Sequence, residues 1–154
     1  RENIVYYGRL HGMAADAASA RADTLAEMLE MKPLLDRRTE GFSQGERMKT
    51  ALARAIIHDP PNLVLDEPTN GLDVLATRAL REALRRLRDE QGKCIVFSTH
   101  IMQEVERLCD KVIVVARGRT VAEGTVASLN EQCNERDFEE SFVKLAFNTD
   151  ERGH

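Results

Sequence analysis

The sequence predicts an α/β protein with a parallel β-sheet. Short apolar segments at 62–66, 94–97 and 112–116 have the composition of strands and alternate with longer segments of helical periodicity. The first two segments are apolar on both faces, which is typical of buried strands in a parallel sheet. Strands that alternate with helices in this way predict a sheet with helices packed against it.

The composition is that of a globular domain with no membrane span. The chain has 154 residues, of which 42% are hydrophobic and 31% charged, and its formal net charge is −4. This balance gives no broad basic surface for nucleic acid. The longest apolar run, 112–116, is far shorter than the ~20 residues that a membrane-spanning helix needs. The three cysteines are scattered, which favours a reduced compartment over disulfides or zinc.

The first 42 residues are predicted to be mainly helical. An alanine-rich helical stretch covers residues 4–31, Gly12 divides it, and Pro33 is expected to stop it. A loop at 37–42 leads to a helix at 43–58.

The rest of the chain supplies further helices and one hairpin. A helix at 74–91 presents Leu80, Leu84 and Leu87 on one face, and Gly92 is expected to cap it. Its arginines are spaced i,i+4 from acidic residues, which favours an exposed helix face over a nucleic-acid surface. The remaining predicted elements are a helix at 102–108, a turn at 117–119, a strand at 120–122 and an amphipathic helix at 137–147.

Reactive side chains follow two of the predicted strands. Asp66 and Glu67 close the first strand, and Ser98-Thr99-His100 closes the second. Ligands of open α/β sheets bind beyond the carboxyl ends of the strands. Pro68 is expected to keep Glu67 extended, so that its carboxylate projects past the strand end. Paired carboxylates suit a metal–phosphate site, in which one holds Mg²⁺ and the other orients water. For an isolated pair, two acids in a solvated loop are the alternative.

Ser43 and Glu46 form the pattern of a capping box at the start of a helix. That structural role explains both residues. The same helix start, with Gly45 inside it, also exposes N–H groups that can bind phosphate. His100 can donate a hydrogen bond to a phosphate or to water, although a lone histidine after a strand is more often a structural residue.

Taken in order, the segments 42–46, 62–73 and 98–100 resemble the signature motif, Walker B strand, D-loop and H-loop of the ABC transporter ATPase family. The resemblance runs from Glu2 to about Leu129. It implies a P-loop NTPase-like (RecA-like) α/β fold that is incomplete here, with an added α-helical subdomain. The implied domains are a helical subdomain at 1–42, a RecA-like core portion at 43–128 and a C-terminal helical tail at 129–154.

The resemblance also implies roles for single residues. Asp66 resembles the Walker B carboxylate that binds Mg²⁺, and Glu67 resembles the general base for water. His100 resembles the switch histidine that contacts the γ-phosphate. Asp73 matches the D-loop aspartate, which helps to align the site of the facing subunit.

The signature motif implies further nucleotide contacts and also departs from the family pattern. Ser43 and Gly45 match residues that contact the γ-phosphate of ATP held by the partner, and Glu46 occupies the last position of the motif. The usual motif reads Leu-Ser-Gly-Gly-Gln, so Phe42, Gln44 and Glu46 all differ from it. Gln44 adds a side chain where the family favours none, and the carboxylate of Glu46 repels phosphate.

The sequence contains no P-loop of the form G-x-x-x-x-G-K-[ST]. Its one Gly-Lys pair, Gly92-Lys93, is followed by Cys94. The family has its P-loop upstream, so this chain is expected to begin just after the Q-loop and to be inactive alone. In the related sheet order the P-loop strand lies between the strands at 94–97 and 112–116, so a gap, or a repaired neighbouring strand, is expected there.

The resemblance implies an ATP-binding and ATP-hydrolysing subunit that uses Mg²⁺ and energises a membrane transporter. Its implied partners are membrane-spanning transporter subunits and a second ATPase subunit, in a homodimer or heterodimer, without nucleic acid. The implied location is cytoplasmic, on the inner face of the cell membrane. Glu2-Asn3-Ile4 and Gly71-Leu72 look most like exporters of drugs, polysaccharide or sodium. Two alternatives are a soluble ABC ATPase of translation or DNA repair and a catalytically inert structural piece.

Overall fold

In the computed structural model of the chain, residues 1–147 are described, and they form helices and short strands in two compact units. The first unit is residues 1–98 and the second begins at Thr99. The α-helices are α1 (Glu2–Leu10), α2 (Ala15–Met28), α3 (Gln44–Ile56), α4 (Val74–Asp89), α5 (Met102–Leu108), α6 (Val126–Cys133) and α7 (Phe138–Phe147). The strands are β1 (Asn62–Leu65), β2 (Cys94–Phe97), β3 (Val112–Ala116) and β4 (Arg119–Gly124).

Helices α1, α2 and α3 pack together in the first unit through small and aliphatic side chains. Gly8 allows the close approach, because a Cβ atom there would lie 3.0 Å from both Ala18 and Ile57. Gly12, with φ +84°, separates α1 from α2 as predicted. The prediction that Pro33 stops this stretch is wrong. The helix already ends at Met28, before the left-handed Glu30 (φ +52°), and Pro33 lies in a short 3-10 helix.

Strands β1 and β2 form the predicted parallel pair, with Asn62 opposite Cys94 and Leu65 opposite Phe97. Helix α4 connects them and buries the predicted leucine face: Leu80, Leu84 and Leu87 are at most 4% exposed. The chain leaves α4 through Gly92, whose φ of +61° suits glycine. This part of the fold therefore has the strand–helix–strand order that the sequence predicts.

The prediction that these strands are buried on both faces is wrong. Leu63 is buried, but the neighbouring Val64 is 83% exposed and its partner Val96 is 60% exposed. One face of the pair is therefore covered and the other is open. Apolar composition shows that a strand suits burial, but it does not show which elements cover each face.

Strands β3 and β4 form an antiparallel hairpin in the second unit, with Val112 opposite Gly124. The turn between them has positive φ at both Arg117 and Gly118, as tight hairpins require. The predicted turn and fourth strand are confirmed. Within residues 1–147 the strands make two separate two-stranded sheets, β1 with β2 and β3 with β4. The gap or repaired neighbour expected between the strands at 94–97 and 112–116 stays a prediction.

Helices α6 and α7 complete the second unit around a core that includes Val105, Val112, Val114, Leu129 and Phe138. Helix α6 was not predicted, and Thr125 caps its start by accepting the N–H of Ser128. Helix α7 matches the predicted last helix, while residues 148–154 of the predicted tail lie outside the described residues. Among the described helices, none has the length and apolar character needed to cross a membrane.

Candidate functional site

The start of α3 is closed by the predicted capping box. The Ser43 hydroxyl accepts the Glu46 N–H at 3.2 Å, and the Glu46 carboxylate accepts the Ser43 N–H at 2.8 Å. These reciprocal bonds satisfy two of the N–H groups that a helix start otherwise leaves free. Ser43 remains exposed, and its hydroxyl proton is not used by the cap.

Glu46 is engaged on both of its carboxylate oxygens. One accepts the Ser43 N–H and the other pairs with the Arg37 guanidinium at 2.8 Å. The hydrogen bond from the Ser43 backbone, together with Arg37, holds the pKa of Glu46 below its ordinary value of 4.5. Glu46 is therefore charged at neutral pH and is oriented by the cap and by Arg37.

Asp66 and Glu67 lie at the carboxyl end of β1, next to the end of β2. Because the two strands run parallel, Ser98 follows β2 at the same edge, and its N–H bonds to the Leu65 carbonyl at 3.0 Å. The Ser98 hydroxyl donates to the Asp66 carboxylate and accepts the Glu67 N–H, the latter at 2.9 Å. One side chain thus joins both acidic residues. Ser98 lies within the motif at 98–100, but this linking role was not predicted from the sequence.

The backbone of Glu67 is left-handed, with φ +45°, so the predicted extended geometry is wrong. Pro68 favours an extended backbone for the residue before it, and this preference is overridden at Glu67. Hydrogen bonds hold Glu67 there, since Ser98 accepts its N–H and its carbonyl accepts the Asn70 N–H at 3.0 Å. Such a conformation costs about 1–3 kcal/mol in a non-glycine residue.

The turn after Glu67 leads to Asp73, the N-cap of α4. The exposed Asp73 carboxylate accepts the Ala76 N–H at 2.7 Å. Asp73 therefore has a structural role at the helix start in addition to the D-loop role that the resemblance implies. An aspartate directly before a helical pattern is a common N-cap signal, and it would have indicated this role from the sequence.

His100 lies in the second compact unit, in the exposed segment before α5. The first unit contains the other predicted site residues: Asp66 and Glu67 after β1, and, at the starts of α3 and α4, Ser43, Gly45, Glu46 and Asp73. Their predicted roles toward a nucleotide remain predictions. The role of His100 beside the acid pair likewise remains a prediction.

The acid pair fits a magnesium ion that is shared with a phosphate ligand. The described residues contain no group of three or more His, Cys, Asp or Glu side chains that could hold a metal alone. Mg²⁺ does not require such a group, because it is usually held by one or two carboxylates together with waters and phosphate oxygens. Asp66 is exposed and offers carboxylate oxygen at the strand end, so it suits this kind of binding.

Comparisons with known proteins agree with this architecture. Residues 1–70 match the family model described as ABC transporter. The ABC transporter ATP-binding protein NatA of Bacillus subtilis is 42% identical over 143 residues, which are 93% of this chain and 58% of that protein. The Nod factor export ATP-binding protein I of Burkholderia lata is 44% identical over 131 residues, which are 85% of this chain and 43% of that protein.

A solved structure described as the ATP-binding subunit of an ABC transporter has a TM-score of 0.76 and 30% identity. The match covers 92% of this chain and 61% of that one. The fold and these matches show that the chain is an α/β protein similar to the ATP-binding subunits of ABC transporters. The family model, these two relatives and the solved structure all show similarity to ABC transporters and their ATP-binding subunits. The chain spans only 43–58% of the length of these two curated relatives.

Proposed function

We propose that the full-length protein carrying this chain is the ATP-hydrolysing subunit of an ABC-type exporter. The observation that supports this best is the Ser98 hydroxyl, which joins Asp66 to the backbone of Glu67 at the carboxyl edge of β1 and β2. That edge is where ligands of parallel sheets bind. The strained Glu67 is also held at this edge, as expected of a site whose geometry serves function.

The two carboxylates have different proposed roles. Asp66, oriented by Ser98, would hold Mg²⁺, and bound Mg²⁺ would neutralise charge on the ATP phosphates. Glu67 would accept a proton from water and orient that water for attack on the γ-phosphate. The hydrogen bonds to the backbone of Glu67 fix where its side chain leaves the chain.

The remaining site residues are proposed to act on the nucleotide from other elements. Ser43 and Gly45, with Glu46 beside them, would face the γ-phosphate of ATP held by a second subunit. The start of α3 suits this role because it carries N–H groups and the positive end of the helix dipole. Asp73 would help to align the facing site, and His100 would contact the γ-phosphate. We propose the same division into a helical subdomain at 1–42, a core portion at 43–128 and a tail at 129–154.

The proposed assembly contains two ATPase subunits and membrane-spanning transporter subunits. The two ATPase subunits, identical or different, would be attached to the cytoplasmic face of the membrane by the membrane-spanning subunits. Export as the direction is supported by the names of the Nod factor export relatives. Drug, polysaccharide and sodium remain candidate substrates.

The experiment that tests this proposal is ATP turnover by the full-length protein with Glu67→Gln. The variant keeps the size and backbone of the residue but loses the base, so turnover is expected to fall by about 10²–10⁴-fold while ATP binding persists. Glu131→Gln, at an exposed position of α6, is the matched control and should keep wild-type turnover. Wild-type turnover in Glu67→Gln would remove Glu67 from the proposed role.

A further inference from the structure

The start of α3 lies directly against the start of α4. An ideal Cβ placed on Gly45 would lie 2.8 Å from the Cβ of Ala76, closer than real Cβ atoms are found. Apart from its chain neighbours and the backbone of its own helix, no other atom lies within 4 Å of that added Cβ. The absent side chain of Gly45 therefore makes room for a single methyl group on α4.

Ala76 is itself held in place by the cap of α4. Its N–H donates to the Asp73 carboxylate at 2.7 Å, so the methyl that faces Gly45 belongs to a fixed first turn. The two segments also approach each other at Gly71 and Gln44, since a Cβ placed on Gly71 would lie 3.8 Å from Cγ of Gln44. The turn that carries Asp73 and the start of α3 thus meet at neighbouring positions.

We propose that Gly45 is a positioning residue, whose contact with Ala76 sets the start of α3 against the Asp73-capped start of α4. A side chain at 45 displaces one helix start from the other, because Ala76 cannot give way without breaking its cap. The N–H groups at the start of α3 then move relative to the turn that carries Asp73. This inference rests on the proposed function, in which both segments act on one nucleotide.

The test is a double-mutant cycle on ATP turnover in the full-length protein. Gly45→Ala introduces the clash and is expected to lower kcat by about 10–100-fold, as small misplacements of a site can. Adding Ala76→Gly removes the methyl that causes the clash, so the double variant is expected to recover to within about threefold of Ala76→Gly alone. A double variant as slow as Gly45→Ala would overturn the proposal, because glycine would then be needed for direct approach of phosphate.

Gly41→Ala is the matched control, since a Cβ at Gly41 meets nothing within 4 Å and its φ is not positive. The urea midpoints of the same variants separate this proposal from the proposed function. If the wild-type protein does not hydrolyse ATP, the proposed function fails, but the contact still predicts that Gly45→Ala lowers the midpoint and that Ala76→Gly restores it. If the changes in urea midpoint caused by Gly45→Ala and Ala76→Gly simply add in the double variant, the two positions are not in contact and the proposal is overturned.

Discussion

At the scale of single residues, the Ser98 side chain links the ends of two strands. Its hydroxyl both donates to Asp66 and accepts from Glu67, so it determines how the carboxylate and the backbone of the acid pair are placed. A hydroxyl is the smallest group that can do both at once. We therefore propose that Ser98 is a positioning residue of the site.

Ser98→Ala is expected to lower the free energy of unfolding by about 1 kcal/mol, because the exposed hydrogen bonds lost are each of modest net value. ATP turnover of the full-length protein should fall as well, since Asp66 and Glu67 lose their shared partner. Ser98→Thr keeps the hydroxyl and should retain most of both properties. Urea unfolding and steady-state turnover measure the two effects, and equal behaviour of the two variants would contradict the role of the hydroxyl.

The identity of the acid pair and its place after β1 could be predicted from the sequence. The left-handed φ of Glu67 could not, because Pro68 favours an extended backbone for the residue before it, whereas the folded chain holds Glu67 in the left-handed region. That choice depends on the bonds to Ser98 and Asn70, and Ser98 is remote in sequence. The close approach of Gly45 to Ala76 is likewise a tertiary contact with no local signal.

At the scale of elements, the capping box of α3 makes part of the stability depend on pH. The Ser43 N–H and Arg37 hold the pKa of Glu46 below its ordinary value of 4.5. This stabilisation is therefore present above about pH 4.5 and is lost as the pH falls through the lowered pKa of the folded state.

Glu46→Gln keeps a capping oxygen but cannot titrate, so it isolates this contribution. We expect the wild-type chain to be more stable than the variant near pH 7, and the difference to shrink as the pH falls from 5 toward 3. Urea midpoints across that range measure it. A difference that is constant with pH would show that the charge of Glu46 does not contribute.

Elements with both a periodic pattern and a recognisable end were predictable. Helix α3 has its Ser-x-x-Glu box, and α4 has a leucine face and a terminal glycine. Helix α6 was missed, because Thr125 is paired with Ser128 in place of the usual Glu or Gln and the helix is short. Open faces at Val64 and Val96 were missed because burial depends on neighbouring elements, which a strand's own sequence does not contain.

At the scale of the whole molecule, the chain contains an acid pair and a signature-like helix but no P-loop sequence. A P-loop supplies most of the N–H groups that enclose the phosphates in this class of protein. The 154-residue chain by itself is therefore expected to bind ATP with a Kd weaker than about 1 mM. Calorimetric titration with Mg·ATP measures this. Micromolar binding by the chain alone would show that its own residues suffice to hold the triphosphate.

In the proposed ATPase, Asp66 and Glu67 form one hydrolytic edge with different tasks. A Mg²⁺ titration of ATP turnover in the full-length protein tests it most directly. We predict that Asp66→Asn raises the Mg²⁺ concentration needed for half-maximal turnover by at least about tenfold, whereas Glu67→Gln lowers the maximal turnover and leaves that concentration unchanged. An unchanged Mg²⁺ requirement in Asp66→Asn, together with wild-type maximal turnover in Glu67→Gln, would contradict the account.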